Sequence, residues 1–334
     1  MIYVLCPAGV KTGGTELLHQ LVFQINNLSS KQKAQLVYTG TGNIYPVKSF
    51  EKYVNENWIK EADVIENKEN IIVIPETSLS EFNKFKLGKK YIWWLSVDNF
   101  YRTGFNGWKN INDTVKQLGV YHTVGSLLKG RVQNYKKEIN SADLHLFQSY
   151  YASHFLKNTG ILNSKKVYLS DYINDLYIDK SAVALKHPRE NIVLYNPKKG
   201  LNFTKKIIEK SPSWIKWVPL INMSNDEVYQ NLISGKVYID FGNHPGKDRF
   251  PREAAISGCC ILTDRKGAAA YQKDVPILEK YKFNDNKKNI PNIVNQIEYC
   301  LNNYQEAIKD FDSYRDFIRQ EKDIFKKDII RLFE

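Results

Sequence analysis

Short apolar runs separated by polar segments recur along the chain, and their spacing predicts strands alternating with helices. Ile2–Cys6 is one such run, with no polar alternation, as in a strand covered by helices on both faces. Further strands are expected at Gln35–Tyr38, Ile71–Glu76, Tyr91–Asp98, Ala142–Ser149 and Lys166–Ile173. Leu17, Leu18, Leu21, Val22 and Ile25 recur at helical spacing, predicting a helix from about Thr15 to Asn26. Helices are also expected over Glu76–Phe85 and Tyr150–Lys157. The polar stretch Asn174–Arg189 interrupts this pattern, which then restarts. Strands follow at Asn191–Asn196, Trp214–Leu220, Val237–Phe241 and Cys259–Thr263, with a helix at Phe203–Glu209 and another opened by the capping-box pair Ser224 and Glu227. Strands alternating with helices on both sides of the interruption imply an α/β fold of two parallel-sheet, Rossmann-like domains. The expected division is residues 1–180, residues 181–315 and a helical tail at residues 316–334.

Two strand–loop–helix units carry the candidate chemistry. In the first, Pro7–Gly14 leads into the first helix. Its glycines imitate a P-loop, but Thr15 stands where the essential Lys belongs and Glu16 where Ser or Thr belongs, so an NTPase of that kind is excluded. No G-x-G-x-x-G is present either. In the second, Gly242-Asn243-His244-Pro245-Gly246-Lys247-Asp248-Arg249 joins a strand to a short helix containing Pro251 and stopping at Gly258. Free N–H groups and the helix dipole favour an anion at such a place, and Lys247 and Arg249 add full charges. Glu76 and Asp98 stand at the carboxyl ends of expected strands, where ligands of open α/β sheets bind. Asn99 and the aromatic loop Phe100–Phe105 follow Asp98, and Ser126–Lys137 is amphipathic and basic.

Composition narrows the partners. The chain has 334 residues and a formal net charge of +12, which suits a polyanionic partner: nucleic acid, an anionic membrane surface or a phosphorylated substrate. The four cysteines make no C-x-x-C pair and no zinc pattern, which points to a reducing cytoplasm. No signal peptide and no membrane span are evident. Asp310-Phe311-Asp312 resembles a metal-binding D-x-D, but on a helix its carboxylates point to different faces, and no metal is expected.

Three stretches together resemble bacterial glycosyltransferases of the two-domain GT-B architecture, near the retaining family-4-like group. They are Gly13-Gly14-Thr15-Glu16-Leu17-Leu18, Asn196-Pro197-Lys198-Lys199-Gly200, and Phe241-Gly242 through Pro251-Arg252-Glu253-Ala254-Ala255-Ile256-Ser257-Gly258. The resemblance implies a cytoplasmic enzyme, at the inner face of the membrane if it docks there, with a donor cleft between its domains. It would transfer a sugar from a nucleotide-sugar donor to a glycan or lipid-linked acceptor in surface polysaccharide synthesis, without metal or other cofactor. Glu253, Arg249 and Lys199 become the expected catalytic residues, with Asp98 as a candidate base. Gly13, Gly14, Asn196, Lys198, Gly242, His244, Gly246, Lys247 and Arg252 become the expected donor-binding residues. Glu76, Asn99 and Tyr101 would meet the acceptor. One departure stands out: the group often has a second glutamate at the position of Pro245. Two other readings stay open, a non-catalytic nucleic-acid-binding protein and a sugar-nucleotide epimerase of the GT-B type. No RRM, KH or helix-turn-helix signature supports the former.

Overall fold

A computed structural model describes residues 1–40, 44–103, 111–112, 115–116, 119–128 and 135–334. The chain divides into two compact units, Met1–Asp171 with Asp323–Glu334, and Tyr172–Lys322.

The first unit is built on a seven-stranded parallel sheet. Its strands are β1 (Ile2–Pro7), β2 (Ala34–Thr39), β3 (Trp58–Lys60), β4 (Ile71–Pro75), β5 (Lys89–Trp94), β6 (Leu144–Phe147) and β7 (Lys166–Tyr168). The order is β3-β2-β1-β4-β5-β6-β7, so the chain moves outward from β1, returns to its other side at β4, and the switch point lies between β1 and β4. The first helix spans Gly13–Leu28 and starts two residues earlier than its apolar pattern predicts. Thr12 caps it, accepting from the Thr15 amide while the Thr15 hydroxyl accepts from the Thr12 amide. Gly13 and Gly14 therefore lie in its first turn rather than in a loop. β5 also ends earlier than expected, and Val97–Thr103 is helical. Phe100 and Tyr101 are buried in the core beside Phe155, so the expected aromatic loop is a helix as far as Thr103. Residues 104–105, and residues 129–134 of the basic segment, fall outside the described residues. Residues of the final helix, Asp312–Phe333, complete this unit: Phe325 stacks on Trp93, and Asp328 accepts from the Ser170 amide at 3.0 Å.

The second unit has a four-stranded parallel sheet ordered β11-β10-β8-β9. Its strands are β8 (Glu190–Tyr195), β9 (Lys216–Pro219), β10 (Gly235–Asp240) and β11 (Cys260–Thr263). Val193, Leu194, Val237, Tyr238, Ile261 and Leu262 are fully buried and explain the unbroken apolar runs. Here the switch point lies between β8 and β10, so the loops after those two strands flank one crevice at the carboxyl end of the sheet. The helix Arg249–Ile256 follows β10. Gly258 ends its turn at φ +96, and a Cβ there would lie 2.2 Å from an Arg189 nitrogen, so only glycine fits.

Candidate functional site

The crevice of the second unit is closed by two loops that touch backbone to backbone. After β8, Asn196 accepts from the Lys198 amide at 3.0 Å and turns the chain, and Gly200 takes the left-handed conformation at φ +57. A Cβ on Gly200 would stand 2.1 Å from the Phe241 carbonyl oxygen, and one on Gly242 would stand 2.3 Å from Lys199 Cβ. The two glycines thus let Asn196–Gly200 and Phe241–Asp248 interlock. We expect Gly200→Ala to lower the stability of this unit by about 2–4 kcal/mol, from overpacking and the positive φ together. Urea unfolding reads this, and an unchanged midpoint would show that the loops do not interlock.

The interlock gathers charge. Lys199 Nζ lies 2.6 Å from Asp248 Oδ2, and His244 Nδ1 lies 2.9 Å from the same oxygen. The other ring nitrogen of His244 is 3.8 Å from Asp240 and 3.6 Å from Asp264. Burial alone would lower the His244 pKa, but the carboxylates of Asp240, Asp248 and Asp264 outweigh it and raise it to about 9. His244 is therefore an imidazolium at neutral pH. Burial opposes ionisation of Asp248, yet Lys199 and His244 pull it down to about 2. Asp264, pushed by burial, rises to about 7 against the pull of His244 and Lys266. Burial likewise works against the charge of Lys199, but Asp248, Asp240 and Asp264 raise its pKa. Asp240, His244 and Asp248 offer ligand atoms within 4.8 Å of one another. Their charges are already countered by Lys199 and by the proton on His244, so the cluster reads as an ion-pair lattice. A cation entering it would have to compete with both.

A second buried lattice holds the loop from behind. Glu321 is 1% exposed and meets Lys247 Nζ at 2.6 Å and Arg252 Nη1 at 2.7 Å. Arg252 also donates to the Lys247 carbonyl at 2.8 Å and the Asp248 carbonyl at 3.2 Å. Lys247 and Arg252, read from the sequence as donor contacts, thus have their side chains buried against Glu321, where they fix the course of the loop. The His244 carbonyl accepts from the Ala268 amide at 2.9 Å, tying the loop to the segment after β11.

The remaining candidates fall on known elements. Arg249 is the first residue of the helix that follows Asp248, and Glu253 lies one turn on, 8% exposed. Gly246 is buried in the loop and Lys198 is exposed. In the first unit, Gly13 and Gly14 open the first helix at the switch point. Glu76 follows β4 and is 1% exposed; its Oε2 accepts from the Leu95 amide at 2.8 Å. Burial pushes its carboxyl up to about 8 against the amides of Leu95, Glu76 and Ser96. Asp98 lies in the first turn of Val97–Thr103, accepts from the Tyr151 hydroxyl at 2.8 Å and is followed by the half-buried Asn99. The Tyr101 ring belongs to the core. Sequence reasoning missed Asp240, Asp264 and Glu321. Asp240 carried the one usable signal, a carboxylate ending an apolar strand just before a glycine.

Neither a protein-family model nor a curated protein matches this sequence. Solved structures do. Alr3699/HepE from Anabaena, crystallised with UDP and glucose, aligns over 99% of this chain and 98% of its own at 10% identity, with a TM-score of 0.62. Sucrose-phosphate synthase (tll1590) from Thermosynechococcus elongatus aligns over 99% and 98% at 10% identity, with a TM-score of 0.64. The fold is that of the GT-B glycosyltransferases. WaaG, a glycosyltransferase involved in lipopolysaccharide biosynthesis, aligns over 100% of both chains at 11% identity, with a TM-score of 0.58. At these identities the likeness carries the GT-B architecture, two α/β units with parallel sheets, and the residues of the site have to speak for themselves.

Proposed function

We propose that this GT-B chain is a glycosyltransferase that moves a sugar from a nucleotide-sugar donor to a glycan or lipid-linked acceptor in bacterial surface polysaccharide synthesis, with retention and without a metal. The observation that carries the reading is the pair of interlocked loops at the switch point of the second sheet, which set Lys199 beside the loop that feeds the helix N-terminus at Arg249. A uridine diphosphate sugar is the first donor to test, because a structural relative holds UDP-glucose.

In this reading the bond between the anomeric carbon and the β-phosphate oxygen breaks, and negative charge grows on the diphosphate. Lys199, Arg249 and the helix dipole meet that charge, and so favour the transition state over the ground state. Glu253 accepts hydrogen bonds from donor hydroxyls. The acceptor oxygen bonds to the anomeric carbon, and its proton passes to the departing phosphate oxygen. Asp98 as a base is the alternative destination for that proton. The acceptor lies with the first unit, where Glu76 and Asn99 stand near the carboxyl ends of β4 and β5.

Docking on an anionic membrane belongs to the same proposal. The helix Val120–Leu128 exposes Val120, Tyr121, Val124 and Leu128 on a chain of net charge +12. No helix among the described residues is long and apolar enough to cross a membrane.

The test is incubation with a panel of nucleotide sugars and a membrane-lipid extract from a polysaccharide-producing bacterium, followed by mass spectrometry. Nucleoside diphosphate released together with a glycosylated acceptor supports transfer. Nucleotide release with an epimerised free sugar and no acceptor product points to an epimerase and contradicts the proposal.

A further inference from the structure

The second unit contains a cavity of about 800 Å³ at the amino end of its sheet, opposite the interlocked loops. Arg189 stands just before β8 and Lys236 at the start of β10; both line it, together with Lys186, His187 and Arg315. Among the described residues that line it, the one carboxylate is Glu306, which is exposed.

Two of the cations here, Arg189 and Lys236, are held without a carboxylate, which leaves their charge uncancelled. The Arg189 guanidinium donates to four backbone carbonyls, Leu232 at 2.9 Å, Gly235 at 2.7 Å, Ala184 at 2.9 Å and Ser257, and to Cys259 Sγ at 4.0 Å. Lys236 Nζ donates to Asn191 Oδ1 at 2.7 Å and the Leu301 carbonyl at 2.9 Å, again with no carboxylate. Arg315 is 3% exposed; its Nη2 reaches Asp312 and the Ile308 carbonyl, while its Nη1 is buried with no hydrogen-bond partner. A buried guanidinium N–H without an acceptor is costly to the fold, and an anion reaching it would remove that cost. The volume lies within the range of small-ligand pockets, and guanidinium groups match the oxygens of a phosphoryl group in geometry as well as charge.

We propose that this cavity is a second anion site, separate from the donor loops, that binds a small soluble molecule through a phosphoryl group. Arg315 Nη1 and Arg189 Nε, the guanidinium nitrogens left without acceptors, contact the phosphoryl oxygens, and Lys186 at the rim draws the anion in.

Thermal unfolding with pyrophosphate and inorganic phosphate tests this, at matched ionic strength against chloride. The background is Arg249→Ala, which weakens the proposed donor loop. In that background pyrophosphate is expected to raise the melting temperature in a saturable way. Adding Lys186→Glu, an exposed change that the fold tolerates, is expected to weaken the response by about tenfold, equivalent to one charge-assisted contact. Arg315→Lys keeps the charge but loses the second nitrogen, and is expected to weaken it similarly. A response that vanishes with Arg249→Ala alone, that ignores Lys186→Glu, or that chloride reproduces would overturn the proposal.

Discussion

Glu321→Ala is expected to destabilise the second unit by about 3–5 kcal/mol, the cost of leaving buried charge without its counter-ion. Two cations depend on this carboxylate. Lys247 and Arg252 have side chains 3% and 1% exposed and meet its two oxygens. With the carboxylate gone, neither can reach water without moving the loop from Lys247 to Asp248, whose carbonyls Arg252 holds. Glu321→Gln separates charge from shape: it fills the same space but should recover less than half of the loss. A simultaneous Lys247→Met change, which removes one stranded cation, should restore part of the stability of Glu321→Ala. Urea unfolding of these four proteins and of Lys247→Met alone measures this, and additive losses across the double change would show that the residues do not act as a unit.

The other large effect is tied to pH. His244 is raised from 6.5 to about 9, so its contribution is complete below 6.5 and is lost as pH rises through about 9. That difference corresponds to about 3 kcal/mol. Asp264, raised from 3.8 to about 7, also makes the folded state bind protons that the unfolded chain releases, so stability falls with rising pH across that range too. Asp248, lowered to about 2, acts the other way and only between about 2 and 3.8. Lys199 and Lys266 are the cations facing the same carboxylates. His244 and Asp264 by themselves take stability away between about pH 4 and pH 9, while His145, lowered by burial to about 4, works the other way between about pH 4 and 6.5. His244→Gln should be less stable at pH 6, by an amount that shrinks as the pH rises. Taking the difference between the two proteins cancels distant groups such as Lys282, whose burial lowers it to about 8. An equal gap at pH 6 and pH 9.5 would mean that folding leaves the His244 pKa unshifted.

The fold was legible because strands buried on both faces leave unbroken apolar runs, and parallel order needs helices between them. Where that signal weakens, the reading failed. Trp58–Lys60 is a short, half-exposed edge strand with no apolar run to announce it. Leu95 and Val97 prolong the apolar run of β5, and so hid the start of the helix that carries Asp98. Around Lys199 and His244 the sequence showed a basic, glycine-rich loop, but not why its glycines are needed. Gly200 and Gly242 are explained only by each other's loops, and Glu321 lies 69 residues from Arg252. Pairings over such distances leave no local pattern.

Lys199, Arg249 and Glu253 are proposed to hold a nucleoside diphosphate sugar at the switch point of the second sheet. Calorimetric titration with nucleoside diphosphates and their sugars, first those of uridine, tests it most directly. The wild-type protein should bind at least one of them. Lys199→Ala and Arg249→Ala should each weaken binding by about 10- to 100-fold, as expected for losing a charge-assisted contact to phosphate. Glu253→Gln should discriminate less between the sugar nucleotide and the bare diphosphate. Binding that is absent for every nucleotide, or equally tight in all three folded variants, would contradict the account.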